Sequence, residues 1–185
     1  MTDDTELPQL TTAQMLRHHA QTRAEGIAIR QKRFGIWNPI TWKAYYDTSC
    51  FLALGLQDMG MQKGGHLGIL SENRKEWIMS QMGANILGAV SVGVYPTSPA
   101  EEVAYVLEHA DVEFIVCEDQ EQTDKIIESW DSLPKLQKIL VVEPKGYRSY
   151  PADKVILFDE VVAKGQALAE KNRTSLERGL DEQTL

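Results

Sequence analysis

The residue types that could do chemistry are scattered along this chain, and each must be weighed by its spacing. The stretch GANILGA at 83–89 has the glycine spacing of a phosphate-binding loop. It lacks the Lys and Ser/Thr that would touch phosphate and magnesium, so close packing is the better reading of its glycines. GGHLG at 64–68 precedes an apolar run instead of following one, which is the wrong order for a dinucleotide fingerprint. His18 and His19 are adjacent and diverge on a helix, while His66 and His109 are isolated. The acidic residues between Glu101 and Asp131 spread over two helical faces and lack the alternating spacing of a calcium loop. No Ser sits in a nucleophile elbow. Cys50 and Cys117 match no metal-ligand spacing and lie in apolar patterns, as buried free thiols in a reducing compartment do. One stretch stands out, GVYPTSPAEE at 93–102, which turns on two prolines between an apolar run and an acidic helical pattern.

Around that turn the chain alternates short apolar runs with helical patterns. TTAQMLRHHAQTR reads as a helix opened by a capping box of Thr11 and Gln14. IAIRQKRFGIWNPITW reads as two strands joined at Phe34-Gly35, and Thr41 caps a helix ended by Gly60. Strands follow at HLGIL, VSVGVY, VEFIVC and KILVV, and VILFDEVVAKGQALAEKN gives a short strand and a last helix. Between them lie helices that Asn73 with Glu76, Ser98 with Glu101 (Pro99 in the first turn) and Asp119 are placed to cap. Strands separated by helices imply right-handed crossovers, hence an α/β fold with a largely parallel sheet and helices on both faces. Residues 1–10 read as a flexible tail, 11–172 as one α/β unit, and the polar stretch 173–185 as a linker. The apolar segment from Trp77 to Tyr95 changes period midway, so it reads as a buried helix and strand instead of a membrane span.

Composition narrows the function classes. The 185 residues are 43% hydrophobic and 25% charged, with a formal net charge of −8. That balance argues against nucleic acid as a partner and against docking on anionic lipid through a polybasic patch. The acidic, polar N-terminal sequence MTDDTELPQL is unlike a targeting peptide, and the expected location is cytoplasmic.

Three ordered segments, SENRKEW at 71–77, YPTSPAEEVAYVLEHA at 95–110 and EDQEQTDK at 118–125, resemble the N-terminal part of the AMP-forming acyl-CoA synthetases. The likeness is greatest to their long-chain fatty-acid–CoA ligase branch, within the adenylate-forming superfamily, and extends over about residues 12–160. In KGGHLGIL the sequence departs from that family, which has Lys-Gly-Asp and a basic residue where Gly65 and His66 stand. The resemblance implies the N-terminal subdomain of the adenylate-forming fold. It also implies an enzyme that uses ATP, Mg²⁺ and CoA to convert a fatty acid through an acyl-adenylate to acyl-CoA, AMP and pyrophosphate. The family's Thr-Ser-Gly-Thr-Thr-Gly phosphate loop, its ribose-binding Asp and its mobile-domain Lys are absent from these 185 residues, the loop being expected just beyond Leu185. The resemblance therefore implies that the segment alone is inactive, has no catalytic residue or metal ligand, and binds none of the cofactors tightly. Tyr95, Pro96 and Thr97 are expected to border CoA as rim contacts. Peripheral association with membranes, without an anchor, and self-association through uncovered surface are further expectations. The competing reading is a stand-alone, non-catalytic α/β binding or assembly module.

Overall fold

The computed structural model describes residues 9–184, so the tail read at 1–10 falls almost wholly outside the described residues. The sequence alternation becomes a five-stranded parallel sheet of β3 (His66–Leu70), β4 (Val90–Val94), β5 (Phe114–Cys117), β6 (Lys138–Val141) and β7 (Val155–Leu157). The strand order is β4-β3-β5-β6-β7. A separate antiparallel hairpin joins β1 (Ile27–Arg33) to β2 (Ile36–Thr41). The helices are α1 (Thr12–Thr22), α2 (Trp42–Asp58), α3 (Lys75–Leu87), α4 (Ala100–His109), α5 (Gln120–Glu128) and α6 (Phe158–Asp181).

Side-chain alternation on the strands divides the core into two layers, as the pleat requires. Phe114 and Val116 of β5 and Leu140 of β6 pack with α1, α2, α3 and α6. Ile115, Cys117, Ile139 and Val141 face α4 and α5. Helices thus cover both faces, and β5 and the part of β3 after His66 read as unbroken apolar runs because neither face meets water. Both cysteines are buried and free. Burial pushes the Cys50 thiol up to about 12. Among the described residues no helix is long and apolar enough to cross a membrane, and the segment from Trp77 divides into α3 and β4.

Local signals account for several element ends. Thr11 and Gln14 form the expected capping box on α1, Thr41 accepts from the Ala44 N–H at 3.1 Å, and Asp119 accepts from the Gln122 N–H at 3.1 Å. The hairpin turns through Phe34 (φ 49°) and Gly35 (φ 80°). Two positive φ values match the twist of a two-residue hairpin, although an aromatic residue rarely occupies that region.

Three local expectations fail for physical reasons. Asn73 does not cap α3, because Arg74 is the cap residue and takes the Glu76 carboxylate as its own partner. Ser98 and Glu101 form no capping box on α4: Pro99 is the extended cap residue, and the Ser98 N–H closes a turn onto the Tyr95 carbonyl at 3.1 Å. The stretch 173–185 is not a linker through most of its length, since α6 runs to Asp181. Leu176 and Leu180, one turn apart, are buried against the α1–α2–α3 layer. Arg173 also bridges Asp47 at 2.8 Å and Glu177 at 3.0 Å. Burying the two leucines is worth roughly 1.5–3 kcal/mol each, enough to hold a charged helix in place.

The α2–α6 crossing is very close. A Cβ on Gly165 would lie 1.7 Å from the Phe51 carbonyl oxygen, and one on Gly55 would lie 2.3 Å from that of Val161. Only glycine permits this approach, which brings the end of α6 back to α1. There Gln14 Nε2 donates to the carbonyls of Leu180 (2.9 Å) and Gln183 (3.0 Å).

Candidate functional site

All five sheet strands point the same way, so the loops after β3, β4 and β5 emerge on one edge. The chain passes from β3 to β4 on one side and then crosses to β5 on the other. This reversal is the switch point at which open α/β sheets leave a crevice. A cavity of about 430 Å³ opens beside it, with residues 71–73 and Trp77 on one wall and residues 93–97 on the other. Gly93 lets the Trp77 ring lie against β4, since a Cβ there would come within 3.2 Å of Trp77 Cζ2. Tyr95 is 80% exposed, so its ring is available at the rim. Pro96 and Thr97 line the cavity beside Tyr95.

The loops that make the two walls are tied from β5 and α5. Arg74 donates to Glu76 (2.8 Å), Glu118 (3.2 Å) and Glu143 (2.9 Å). Glu118 accepts in turn from the Glu72 N–H at 2.7 Å and from the Ser71 hydroxyl at 3.3 Å. Burial disfavours the Arg74 charge, but hydrogen bonds to Glu143 and Glu76 outweigh it and raise the guanidinium pKa. Lys125 clamps the opposite wall, donating to the carbonyls of Pro96 (2.6 Å) and Ser98 (3.2 Å) and to Gln122 Oε1 (3.0 Å). Residues from the segments 71–77 and 95–110, far apart in sequence, thus form the two walls of one cavity, and the segment 118–125 is bonded to both through Glu118 and Lys125. Arg74 and Lys125 were not singled out by sequence reasoning. Their partners lie up to 69 and 29 residues away, so no local pattern marks them.

The arrangement limits the chemistry. The switch point is filled by one guanidinium facing three carboxylates, which repels phosphate instead of gathering it. Those carboxylates are engaged by Arg74, and among the described residues no group of three or more His, Cys, Asp or Glu could hold a metal ion. The residues present do not fit magnesium or a triphosphate. The two aromatic rings suit a flat ring system at the cavity mouth.

The other candidates are structural. Gly83 packs on Leu52 and the Ser49 carbonyl, and Gly88 ends α3 with φ 77°. His66 Nδ1 bonds the Ala110 carbonyl, His19 packs on Trp42, and His109 stacks on Tyr105. The adjacent His18 and His19 rings lie with centroids 5.7 Å apart, and His66 and His109 are engaged elsewhere.

Comparison with known proteins gives these contacts a context. The AMP-binding enzyme family profile matches residues 16–174. A long-chain-fatty-acid–CoA ligase of Xenopus laevis, ACSBG2, is 31% identical over 138 residues, 75% of this chain and 19% of that protein. The ACSBG1 ligase of Rattus norvegicus is 28% identical over 170 residues, 90% of this chain and 23% of that protein. The chain thus spans about a fifth of the length of the curated relatives it matches. In fold it is similar to the A-PCP didomain of a carboxylic acid reductase from Segniliparus rugosus, solved with AMP. That match has a TM-score of 0.76 at 14% identity and covers 88% of this chain and 27% of that one. A long-chain-fatty-acid-CoA ligase from Archaeoglobus fulgidus aligns with TM-score 0.69 at 16% identity over 85% of this chain and 30% of that one. With the profile covering most of its length, the chain belongs to the AMP-binding enzyme family.

Proposed function

We propose that these residues form the first subdomain of a long-chain fatty-acid–CoA ligase, acting in the cytoplasm or at the membrane periphery. In that reaction a fatty carboxylate attacks the α-phosphorus of ATP and expels pyrophosphate. The CoA thiol then adds to the acyl-adenylate, AMP leaves, and a thioester remains. Magnesium, when bound, supplies charge neutralisation on the phosphates from elsewhere in such an enzyme. The observation that carries the reading is the cavity walled by residues 71–77 and 93–97, with both walls tied to 118–125 through Arg74–Glu118 and Lys125–Pro96. In this reading Tyr95, Pro96 and Thr97 form a rim for the nucleotide of CoA. Trp77 and Tyr95 present rings to its base, and Lys125 holds the rim loop in place.

In this reading the 185 residues, about a fifth of the length of their relatives and with three carboxylates around Arg74 at the switch point, do not activate fatty acids alone. They self-associate through surface that a larger enzyme would cover. Incubation with ATP, magnesium and a long-chain fatty acid tests the first point: robust AMP release overturns it. For the rim, alanine at Tyr95 and Thr97 in a full-length enzyme carrying this subdomain should weaken thioester formation more than adenylate formation. Equal loss of both steps refutes it.

A further inference from the structure

The β1–β2 hairpin carries a surface unlike the rest of the molecule. Its tip presents Phe34, Ile36 and Trp37, which are 91%, 68% and 60% exposed. Around them stand Arg30, Lys32 and Arg33, and residues 27–41 contain no carboxylate. The whole-chain charge is −8, so this is a local inversion of sign. None of the three cations enters an ion pair among the described residues. Instead Lys32 lies over the Trp37 ring (5.9 Å) and Arg33 over Phe34 (5.4 Å). The nearby acids, Glu76, Glu143 and Asp159, share the cleft on one side of the hairpin, where Glu76 and Glu143 are held by Arg74. The positive φ of Phe34 sets a large apolar side chain at the apex of the turn, where Asn or Gly would be less strained.

We propose that this hairpin is a membrane-docking element, its tip side chains entering the interface of an anionic bilayer while Arg30, Lys32 and Arg33 meet the lipid phosphates. Aromatic side chains favour the headgroup level, and basic residues beside them are drawn to the negative surface of anionic lipid. A second protein is a poorer occupant. Three side chains on a convex two-stranded tip fall far short of the roughly 20 residues per side of a stable interface. The whole-chain charge conceals the element because the carboxylates lie outside it. The inference rests on the membrane-peripheral part of the reading above and names the surface responsible. It fails separately from the ligase assignment, because vesicle binding requires no catalysis.

Cosedimentation of the 185-residue chain with phosphatidylcholine vesicles, with and without phosphatidylserine, tests it. Binding should require phosphatidylserine and weaken as salt is raised. Replacing Arg30, Lys32 and Arg33 together by Gln should weaken binding on the order of a hundredfold, from about fivefold per basic residue. The Phe34→Ser/Trp37→Ser variant should lose at least about tenfold. All five substituted residues are exposed, and unchanged thermal melts confirm that the variants fold. Absence of binding to phosphatidylserine vesicles overturns the proposal, as does binding that neither variant alters. Tip variants that only turn an oligomer into a monomer, with vesicle binding intact, would assign the tip to a second copy and overturn it equally.

Discussion

Removing Arg74 should destabilise the domain more than any other single surface-side charge removal. Its guanidinium is 16% exposed and meets carboxylates of Glu76 and Glu118 that are 10% and 23% exposed. Arg74→Ala leaves those acids with Lys75, 3.6 Å from Glu76, as their one remaining ion-pair partner among the described residues. Breaking a buried pair costs about 3–5 kcal/mol, and partial exposure of Glu118 and of Glu143, at 45%, screens part of that. The expected loss is therefore about 2–3 kcal/mol, or roughly a 5–10 °C fall in Tm for a chain of this size. Glu143→Gln, at the exposed end of the network, should cost less than about 1 kcal/mol. Adding Glu76→Gln to Arg74→Ala should recover at least about 1 kcal/mol, because it removes the stranded buried charge. Urea unfolding followed by circular dichroism gives all these differences at one pH. A loss for Arg74→Ala no larger than that for Glu143→Gln, or no recovery in the double variant, refutes the account.

Two further outcomes follow from packing and titration. Gly165→Ala should cost at least about 3 kcal/mol, since its methyl would collide with the Phe51 carbonyl. Gly179→Ala on the same helix, with nothing within 4 Å, should stabilise by up to about 1 kcal/mol; paired thermal melts compare them. Alkaline pH should destabilise the fold. Burial raises the thiols of Cys50 and Cys117 and the phenols of Tyr45 and Tyr46, so the folded state keeps protons that the unfolded chain releases. Stability is unaffected by Cys50 below its ordinary value of 9.0 and falls as pH rises from there toward about 12, at roughly 1.4 kcal/mol per pH unit for each group still protonated only in the fold. Urea midpoints that stay flat across that range, or that Cys50→Ala leaves equally steep, contradict this.

The sheet and its helices were legible because their signals are local. Alternation, Thr11, Thr41, Asp119 and the Phe34-Gly35 turn each act within a few residues. The misread ends have distant causes. The Ser98 region is set by Lys125 reaching its carbonyl from α5, and the Asn73 region by Arg74 reaching Glu118 and Glu143. Both regions satisfy the local rule for a capping box, but Arg74 takes the Glu76 carboxylate and Lys125 holds the Ser98 carbonyl. The end of α6 was hidden differently. Leu176 and Leu180 do lie four apart, but only two apolar positions in a charged stretch give too little period to read until α1 and α2 supply the opposing surface. The cavity itself could not be read from any one segment, since each wall is half of it.

The return of α6 to α1 has a mechanical consequence. Thr11 and Gln183 approach within 3.5 Å, so the path into the folded unit and the path out of it share one doorway. Tension applied through the two ends would load the Gln14–Leu180 and Arg17–Asp181 contacts first, one bond at a time, like a zipper. The five parallel strands, lying behind that seam, would bear no force until the helix had peeled away. The unit is thus built to yield at its hem while its sheet and the cavity at the sheet's edge remain intact.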